Sequence, residues 1–360
     1  MGKSNGRETH RSNRPAGPAG GDDGFRLYAA NVVGGRQEAM RKHIAGVRAA
    51  EDIEAVHQMR VASRRLRAAL ALFEPVLPAD VFVRWQKQVR KVTRSLGAAR
   101  DLDVQIAQID LFVAEQTQRN CLPGVKRLTL RLKQRRSKRQ RGVLRAMKRL
   151  EASRVLDDMS LYARQWQVRS RLEAMKAGGD EALAAAGSAI RERIGNLLTF
   201  EPFVELPDRI SELHAMRIAA KRLRYCLEIF DELYDGRLKV FVKQVKRVQT
   251  LLGDIHDADV WIEMLPQFMA AEHRRTERYF GHTRGFGKLR PGIALLAADR
   301  QTQRDLLYQQ FVQTWRTLSG EQTWQRMLNT AEGQADQTED ESMPAVEVLI
   351  NPTDERVIQS

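Results

Sequence analysis

The sequence predicts an all-α protein built from a duplicated helical unit, and three observations carry that prediction. An eleven-residue block occurs twice: His57-Gln58-Met59-Arg60-Val61-Ala62-Ser63-Arg64-Arg65-Leu66-Arg67 returns, 157 residues on, as His214-Ala215-Met216-Arg217-Ile218-Ala219-Ala220-Lys221-Arg222-Leu223-Arg224. Apolar residues recur at three- and four-residue steps along most of the chain, the period of an amphipathic helix. Strand signals are scarce, because period-two alternation, Asn-Gly turns and β-branched runs are lacking.

The copies agree beyond the block. Both run on into Phe73 and Phe230, and Lys87-Gln88-Val89-Arg90-Lys91-Val92 matches Lys243-Gln244-Val245-Lys246-Arg247-Val248. Leu96-Gly97 through Asp101-Leu102-Asp103-Val104 then matches Leu252-Gly253 through Asp257-Ala258-Asp259-Val260. The offset falls by one residue between the first block and the later ones, so the connection after the histidine helix is that much shorter in the second copy.

Wound at about 100° per residue, His57, Arg60, Arg64 and Arg67 share one stripe of about 80°. Met59, Ala62, Leu66, Leu70 and Phe73 take the opposite face. In the second copy His214, Arg217, Lys221 and Arg224 stand against Met216, Leu223, Leu227 and Phe230, with Arg65 and Arg222 on the flanks. The following helix adds Arg84, Lys87, Arg90, Lys91 and Arg94, and its counterpart adds Lys239, Lys243, Lys246 and Arg247. Like charges at such spacings repel by some tenths of a kcal/mol per pair, so solvated faces usually mix signs. Single-signed faces at matching places point to an anionic partner, and rows of cations suit a polyanion better than one phosphate.

Taken in order, the segment from Met1 to Asp23 is rich in Gly, Ser, Asn, Pro and Arg and has no apolar core of a signal peptide. Residues 1–24 are expected to be a disordered basic arm. A helical pattern runs from Phe25 to Ala50, interrupted at Gly34-Gly35, and Asp52 is placed to cap the first histidine helix. Pro75 and Pro78 end that helix. The next reaches Leu96, with Gly97 as its stop and a new helix entered at Asp101. Lys126 to Arg149 is the most cationic stretch and keeps helical periodicity. A polar, Gly-containing segment around Lys176 to Asp180 divides a first helical half, 25–177, from a second, 178–325. Helix signals resume at Glu181, Pro202 and Pro207 lead to the second histidine helix, and Ser211 is its candidate cap. Beyond Trp261 to Phe268, a link through Gly281, Gly285, Gly287 and Pro291 leads to a helix around Arg300 to Leu318, with Leu306, Leu307, Phe311 and Trp315 facing in. From 326 to 360 the chain is expected to be an acidic, disordered tail.

Composition bounds the function. A chain of 360 residues that is 42% hydrophobic can bury a large core. The net charge of +15 understates the asymmetry, since residues 332–360 hold eight acids against Arg356, leaving +22 on the rest. Such a field draws in nucleic acid, anionic membrane or condensed phosphate without choosing among them. No window approaches the roughly 20 apolar residues of a membrane span, so a soluble protein is expected. Cys121 and Cys226 lack disulfide-framework or metal-ligand spacing, which fits reduced thiols in the cytoplasm.

The remaining chemistry-bearing residues are few. Packed among arginines, His57 and His214 should have lowered pKa values and serve near pH 7 as neutral N–H donors. No nucleophile or metal cage accompanies them, so no catalytic residue, metal or cofactor is expected. Asp101 and Asp103, like Asp257 and Asp259, stand two apart on a helix and diverge, which suits capping and orientation of Arg or His. Magnesium held jointly with bound phosphate is the alternative for these carboxylates.

With the repeated His-x-x-Arg-x-x-x-[Arg/Lys]-Arg-Leu-Arg in view, residues 25–320 resemble a CHAD domain, the conserved histidine α-helical domain. The resemblance implies two four-helix bundles related by a pseudo-twofold axis, with the basic helices facing a central channel. It implies inorganic polyphosphate as ligand and association with polyphosphate granules. His57 and His214 match the family's histidines, and the Arg and Lys stripes match its basic residues. Some relatives carry a triphosphate-tunnel enzyme domain with a Glu-x-Glu-x-Lys signature; that pattern is missing here, so the expectation is a non-catalytic binding module.

Two other readings stay open at this point. Weak, sequence-nonspecific nucleic-acid binding would use base-stacking aromatics, yet aromatics make up only 6% of the chain and Phe73, Phe230 and Trp261 fall among apolar residues, leaving Trp85 and Tyr225. A phosphoanhydride hydrolase would need a metal-carboxylate cluster or a nucleophilic histidine. The Lys126–Arg149 stretch is compatible with a solvated face, an extension of the phosphate surface or a nucleic-acid contact, and the acidic tail with a competitor for the channel.

Overall fold

The apolar stripes read from the sequence become a set of packed helices. The structure, a computed structural model, describes residues 23–49, 53–116, 122–173, 175–176 and 178–333, and no strand occurs among them. The helices are α1 (Asp23–Arg41), α2 (Ile44–Ala49), α3 (Ile53–Leu72), α4 (Ala79–Glu115), α5 (Leu122–Ala152), α6 (Val155–Leu172), α7 (Asp180–Leu198), α8 (Ile210–Phe230), α9 (Lys239–Phe280), α10 (Arg290–Gly320) and α11 (Thr323–Ala331). Asp52, Cys121, residues 1–22 and residues 334–360 lie outside the described residues.

The two histidine helices, α3 and α8, pack against each other at the centre. Helix α4 lies on α3 and carries α5, while α9 lies on α8 and carries α10; α1 packs on α3 and α6, and α7 on α8 and α11. The closing phenylalanines of the two sequence blocks meet: Phe73 and Phe230 stand edge to face with ring centroids 6.1 Å apart, joined by Phe25 and Tyr28 of α1. The Tyr28 hydroxyl donates to the Ile229 carbonyl at 2.5 Å, so the one polar atom of this cluster is satisfied. Truncating either phenylalanine to alanine is expected to cost about 3–5 kcal/mol, because a fully buried ring leaves a cavity.

A smaller core closes the far end. Ile109 and Phe112 of α4, Leu128 and Leu132 of α5, Trp261 and Leu265 of α9 and Leu296 of α10 pack together there. The Trp261 indole N–H donates to Gln108 at 2.7 Å, tying α9 to α4. Helices α3 and α8 themselves belong to the larger core, through Met59, Leu66, Met216 and Leu223.

Several sequence expectations change. Two expected glycine breaks do not occur. Helix α1 runs through Gly34-Gly35, and a Cβ at Gly34 would stand 2.8 Å from that of Ala163. This glycine permits close approach of α1 and α6, offsetting the roughly 1 kcal/mol that a mid-helix glycine costs. Helix α4 likewise continues through Gly97 to Glu115, so no new helix begins at Asp101. Ser211 does not cap α8, which starts at Ile210 after Arg209; its hydroxyl meets Glu212 at 2.6 Å instead. Helix α10 begins ten residues earlier than Arg300, with Pro291 in its first turn, where the missing N–H is harmless. Phe311 and Trp315 are buried as expected, but Leu306 is 55% exposed, since it lies a third of a turn off the inward stripe. At the ends, α1 takes in Asp23 and Gly24 of the expected arm, and α11 carries helix to Ala331, past the expected boundary at 326. Met327 and Trp324 anchor α11 in the core, which explains why the sequence stays helical there.

Candidate functional site

Between α3 and α8 lies a cleft of about 850 Å³ whose charged lining is mostly cationic: Arg64 and Arg67 from α3, Lys221 and Arg222 from α8, and Arg193 from α7. Gln86, Asn196, Thr199 and Tyr225 add neutral polar groups, and Glu192 is the carboxylate in the wall. Glu192 is taken by Arg193 at 2.6 Å. Part of each stripe, Arg64 and Arg67 of the first copy and Lys221 of the second, therefore faces one space, which sequence alone did not establish.

The crowding has electrostatic consequences. Burial, followed by the charges of Arg64, Arg217, Arg67 and Arg222, pulls the Lys221 pKa down to about 8. Burial and neighbouring guanidinium groups also lower Arg64 and Arg67, the latter through Arg90, Arg64 and Arg94. Buried Nε atoms of Arg67, Arg217 and Arg224 and Nδ1 of His57 find no hydrogen-bond partner among the described residues. Such groups are costly to leave unpaired.

The other members of the stripes serve in different ways. Arg60 reaches Asp101 at 3.1 Å, and the charge of Arg217 acts on Asp257, the matching acid of α9. Each arginine also passes over a helix glycine: a Cβ at Gly97 would lie 3.7 Å from Arg60 Nε, and one at Gly253 3.4 Å from Arg217 Nε. Asp103 accepts from Arg136 at 2.6 Å and Asp259 from Arg304 at 2.5 Å, so α5 and α10 are fastened to α4 and α9 through matching carboxylates. All four aspartates lie within long helices. The expected orientation of arginines is present and the expected capping is not.

The histidines differ between the copies. Burial first, and then the charge of Arg100, lowers His57. His214 is lowered by burial, then by His256 and Arg217, and its Nδ1 lies 3.2 Å from Nδ1 of His256. Arg100 and His256 were missed in the sequence, although both stand just before the repeated Asp-x-Asp, three residues after Gly97 and Gly253. Arg193 carried no such signal, because α7 lies outside the repeated blocks.

Not every predicted cation joins the cleft. Arg65 reaches Glu228 at 3.8 Å, and Arg224 pairs with the same acid at 3.2 Å while its guanidinium covers the Tyr225 ring at 4.7 Å. Arg84 is paired with Asp158 at 2.9 Å. Lys87, Arg90, Lys91 and Arg94 are exposed on α4, and the charges of Arg90 and Arg94 act on Arg67. Lys243, Lys246 and Arg247 line a separate recess of about 640 Å³ between α9 and α10. Lys239 lies apart, in a recess with Glu228, Asp231, Glu232 and Asp235. Trp85 is buried, and Tyr225 is nearly so under Arg224, which removes both as stacking platforms. Cys226 is a buried thiol with its pKa raised to about 12 by burial. No described helix is long and apolar enough to cross a membrane.

Comparison with known proteins places this geometry. The family model described as the CHAD domain matches residues 32–266. The crystal structure of the CHAD domain from the plant Ricinus communis superposes with a TM-score of 0.52 at 24% identity, covering 79% of this chain and 91% of that one. PptA from Streptomyces chartreusis gives a TM-score of 0.58 at 16% identity, covering 81% and 99% respectively. At these identities the structural likeness speaks for the fold alone. No curated protein matches the chain.

Proposed function

Because the chain belongs to the CHAD domain family, we propose that it binds inorganic polyphosphate in a basic channel between two helical halves related by a pseudo-twofold axis. The observation that carries this reading is the convergence of Arg64, Arg67, Lys221 and Arg222, from two helices 157 residues apart in sequence, on one cleft. Four cations gathered on one cleft favour a ligand that brings several negative charges at close spacing. A condensed phosphate chain does so without bases, in keeping with the covered positions of Trp85 and Tyr225. Arginine forks would take pairs of phosphate oxygens, and Lys221 would supply a point charge that full protonation restores once the anion is bound.

The reading takes the protein to be a binding module without chemistry of its own, located in the cytoplasm and on polyphosphate granules. Release of free phosphate during incubation with polyphosphate and magnesium is the outcome that overturns the non-catalytic part. The binding part is tested by competition. Labelled long-chain polyphosphate is bound at physiological salt and challenged with equal phosphate equivalents of single-stranded DNA, duplex DNA and RNA, using wild type and Arg64→Gln/Lys221→Gln. Retention of polyphosphate by wild type and its loss from the double variant are expected; equal displacement by nucleic acid means that general basicity was mistaken for a site.

A further inference from the structure

Helix α5 uses its cations differently along its length. In its first half Arg131 and Arg127 reach Glu272 at 2.8 and 3.4 Å, and Arg136 reaches Asp103 at 2.6 Å. In its second half Lys138, Arg141, Arg145 and Lys148 have no carboxylate within salt-bridge distance among the described residues; the one polar contact is Arg145 Nε to the Arg141 carbonyl at 3.3 Å. Steps of three and four residues place these four in one row about 15 Å long. They do not stand on a flat surface. With Arg48 of α2 and Leu144 they line a groove of about 680 Å³, and Arg48 pairs at its rim with Glu151 at 3.1 Å.

A path of cations leads there from the central cleft. The charges of Arg90 and Arg94 on α4 act on Arg67, which lines that cleft. Where α4 meets α5, a Cβ at Gly142 would lie 3.8 Å from Ser95 Oγ. Lys91 is one turn from Ser95 on α4, and Lys138 and Arg145 are one turn from Gly142 on either side, so exposed cations flank the seam from both helices.

Resting on the proposed polyphosphate reading, we infer that the α2–α5 groove is a second attachment site for the same ligand, engaged only by condensed phosphate chains long enough to leave the central cleft and cross α4. The groove has the complementary charge and the form for a narrow, unbranched polyanion. A nucleic-acid duplex presents its phosphates on a wide convex cylinder, and α5 has no aromatic residue on which a single strand could stack its bases. Two sites joined by one chain make the second contact intramolecular, so chain length becomes affinity.

The test compares tripolyphosphate with long-chain polyphosphate on the full chain, by calorimetry at two salt concentrations. In Lys138→Gln/Arg141→Gln/Arg145→Gln/Lys148→Gln the helix should persist, because glutamine has a helix propensity close to those of lysine and arginine; circular dichroism checks this. Tripolyphosphate affinity is expected to stay at the wild-type value, while long-chain affinity falls at least about tenfold and its salt dependence becomes shallower. Unchanged long-chain affinity and salt slope would overturn the second site and leave the row as a solvated face. A second arm uses Arg64→Gln/Lys221→Gln, which keeps the groove. Residual long-chain binding that duplex DNA displaces more readily than polyphosphate would assign the groove to nucleic acid and also overturn the inference. Absence of tripolyphosphate binding to wild type, or its survival in that variant, counts against the central cleft, so the two failures are distinguishable.

Discussion

Arginines gather at two places in this molecule and do opposite things there. At the seam of α5 and α9, the fully buried Glu272 accepts from Arg131 at 2.8 and 3.1 Å, from Arg127 at 3.4 Å and from Arg275. Burial pushes the Glu272 carboxyl up, but the bonds from Arg131 and Arg275 outweigh it and hold the group below its ordinary value. In the cleft between α3 and α8, Arg64, Arg67, Lys221 and Arg222 share a space whose wall carboxylate is already engaged by Arg193. The guanidinium is the same in both places. A carboxylate within reach makes it a fastener, and want of one makes it a receptor.

The largest effect should come from breaking the fastener. Glu272→Gln removes the charge that three arginines share and is expected to lower stability by about 3 kcal/mol, the low end for a broken buried pair because Arg127 and Arg275 are half exposed and can turn to water. Denaturant unfolding measures the loss, and polyphosphate affinity of the folded fraction should not change. A fall in affinity with little loss of stability would erase the distinction between the two regions.

The cleft should respond in reverse. Arg64→Gln/Lys221→Gln relieves repulsion between charges held in one recess, so stability should stay level or rise by about 0.5–1 kcal/mol. Affinity for polyphosphate should fall at least about tenfold, with a shallower salt dependence. Loss of both stability and binding would mean that these residues hold α3 to α8 and do not wait for a ligand.

A smaller signal comes from pH. Lys221 has its pKa drawn down to about 8, below the value of about 10.4 for an unfolded chain. Between these values the unfolded state holds the proton and the folded state does not, so stability contributed by this residue rises with pH across that window and is lowest below about 8. A bound anion favours the charged form, so binding at pH 8–9 should take up a fraction of a proton. Calorimetry in buffers of different ionisation enthalpy reads that uptake, and Lys221→Arg should abolish it while binding persists.

How much of this was legible in the sequence follows from which contacts repeat. Periodicity located the helices, and the duplicated block named Arg64 and Lys221 as a matched pair whose two members line one cleft, whereas Arg67 and Arg222 line it without their counterparts Arg224 and Arg65, which reach Glu228. The break was misplaced at Gly34 because a glycine needed for close helix approach looks, in one dimension, like one that ends a helix. Arg84 and Arg65 were assigned to the ligand because their partners, Asp158 and Glu228, lie on distant helices. The fastener at Glu272 could not be foreseen at all: one of six acids in α9, 141 residues from Arg131, has no local signature.

The least effect, and the finest test of receptor against fastener, lies at His256. In the first copy the corresponding position is Arg100, a fixed charge beside His57; in the second, His256 faces His214 with ring centroids 4.2 Å apart. At 3.2 Å between their Nδ1 atoms one ring must donate and the other accept, so the pair takes a second proton on these atoms only by separating. Both pKa values lie below the ordinary histidine value, through burial and then through neighbouring positive groups, with Asp259 and Asp101 acting in opposition at His256. Unliganded protein should therefore lose stability as pH falls through about 6.5, where the unfolded histidines protonate first, and a bound phosphate chain should return part of it. His256→Arg gives the second copy the fixed charge of the first. Affinity at pH 7.5 should rise about two- to threefold, the size expected of one partly screened charge. The further gain on acidification to pH 5.5 should be smaller than in wild type, with His57 supplying what remains. If the substitution leaves both quantities unchanged, the chain does not pass this end of α8, and the receptor is confined to the cleft around Lys221.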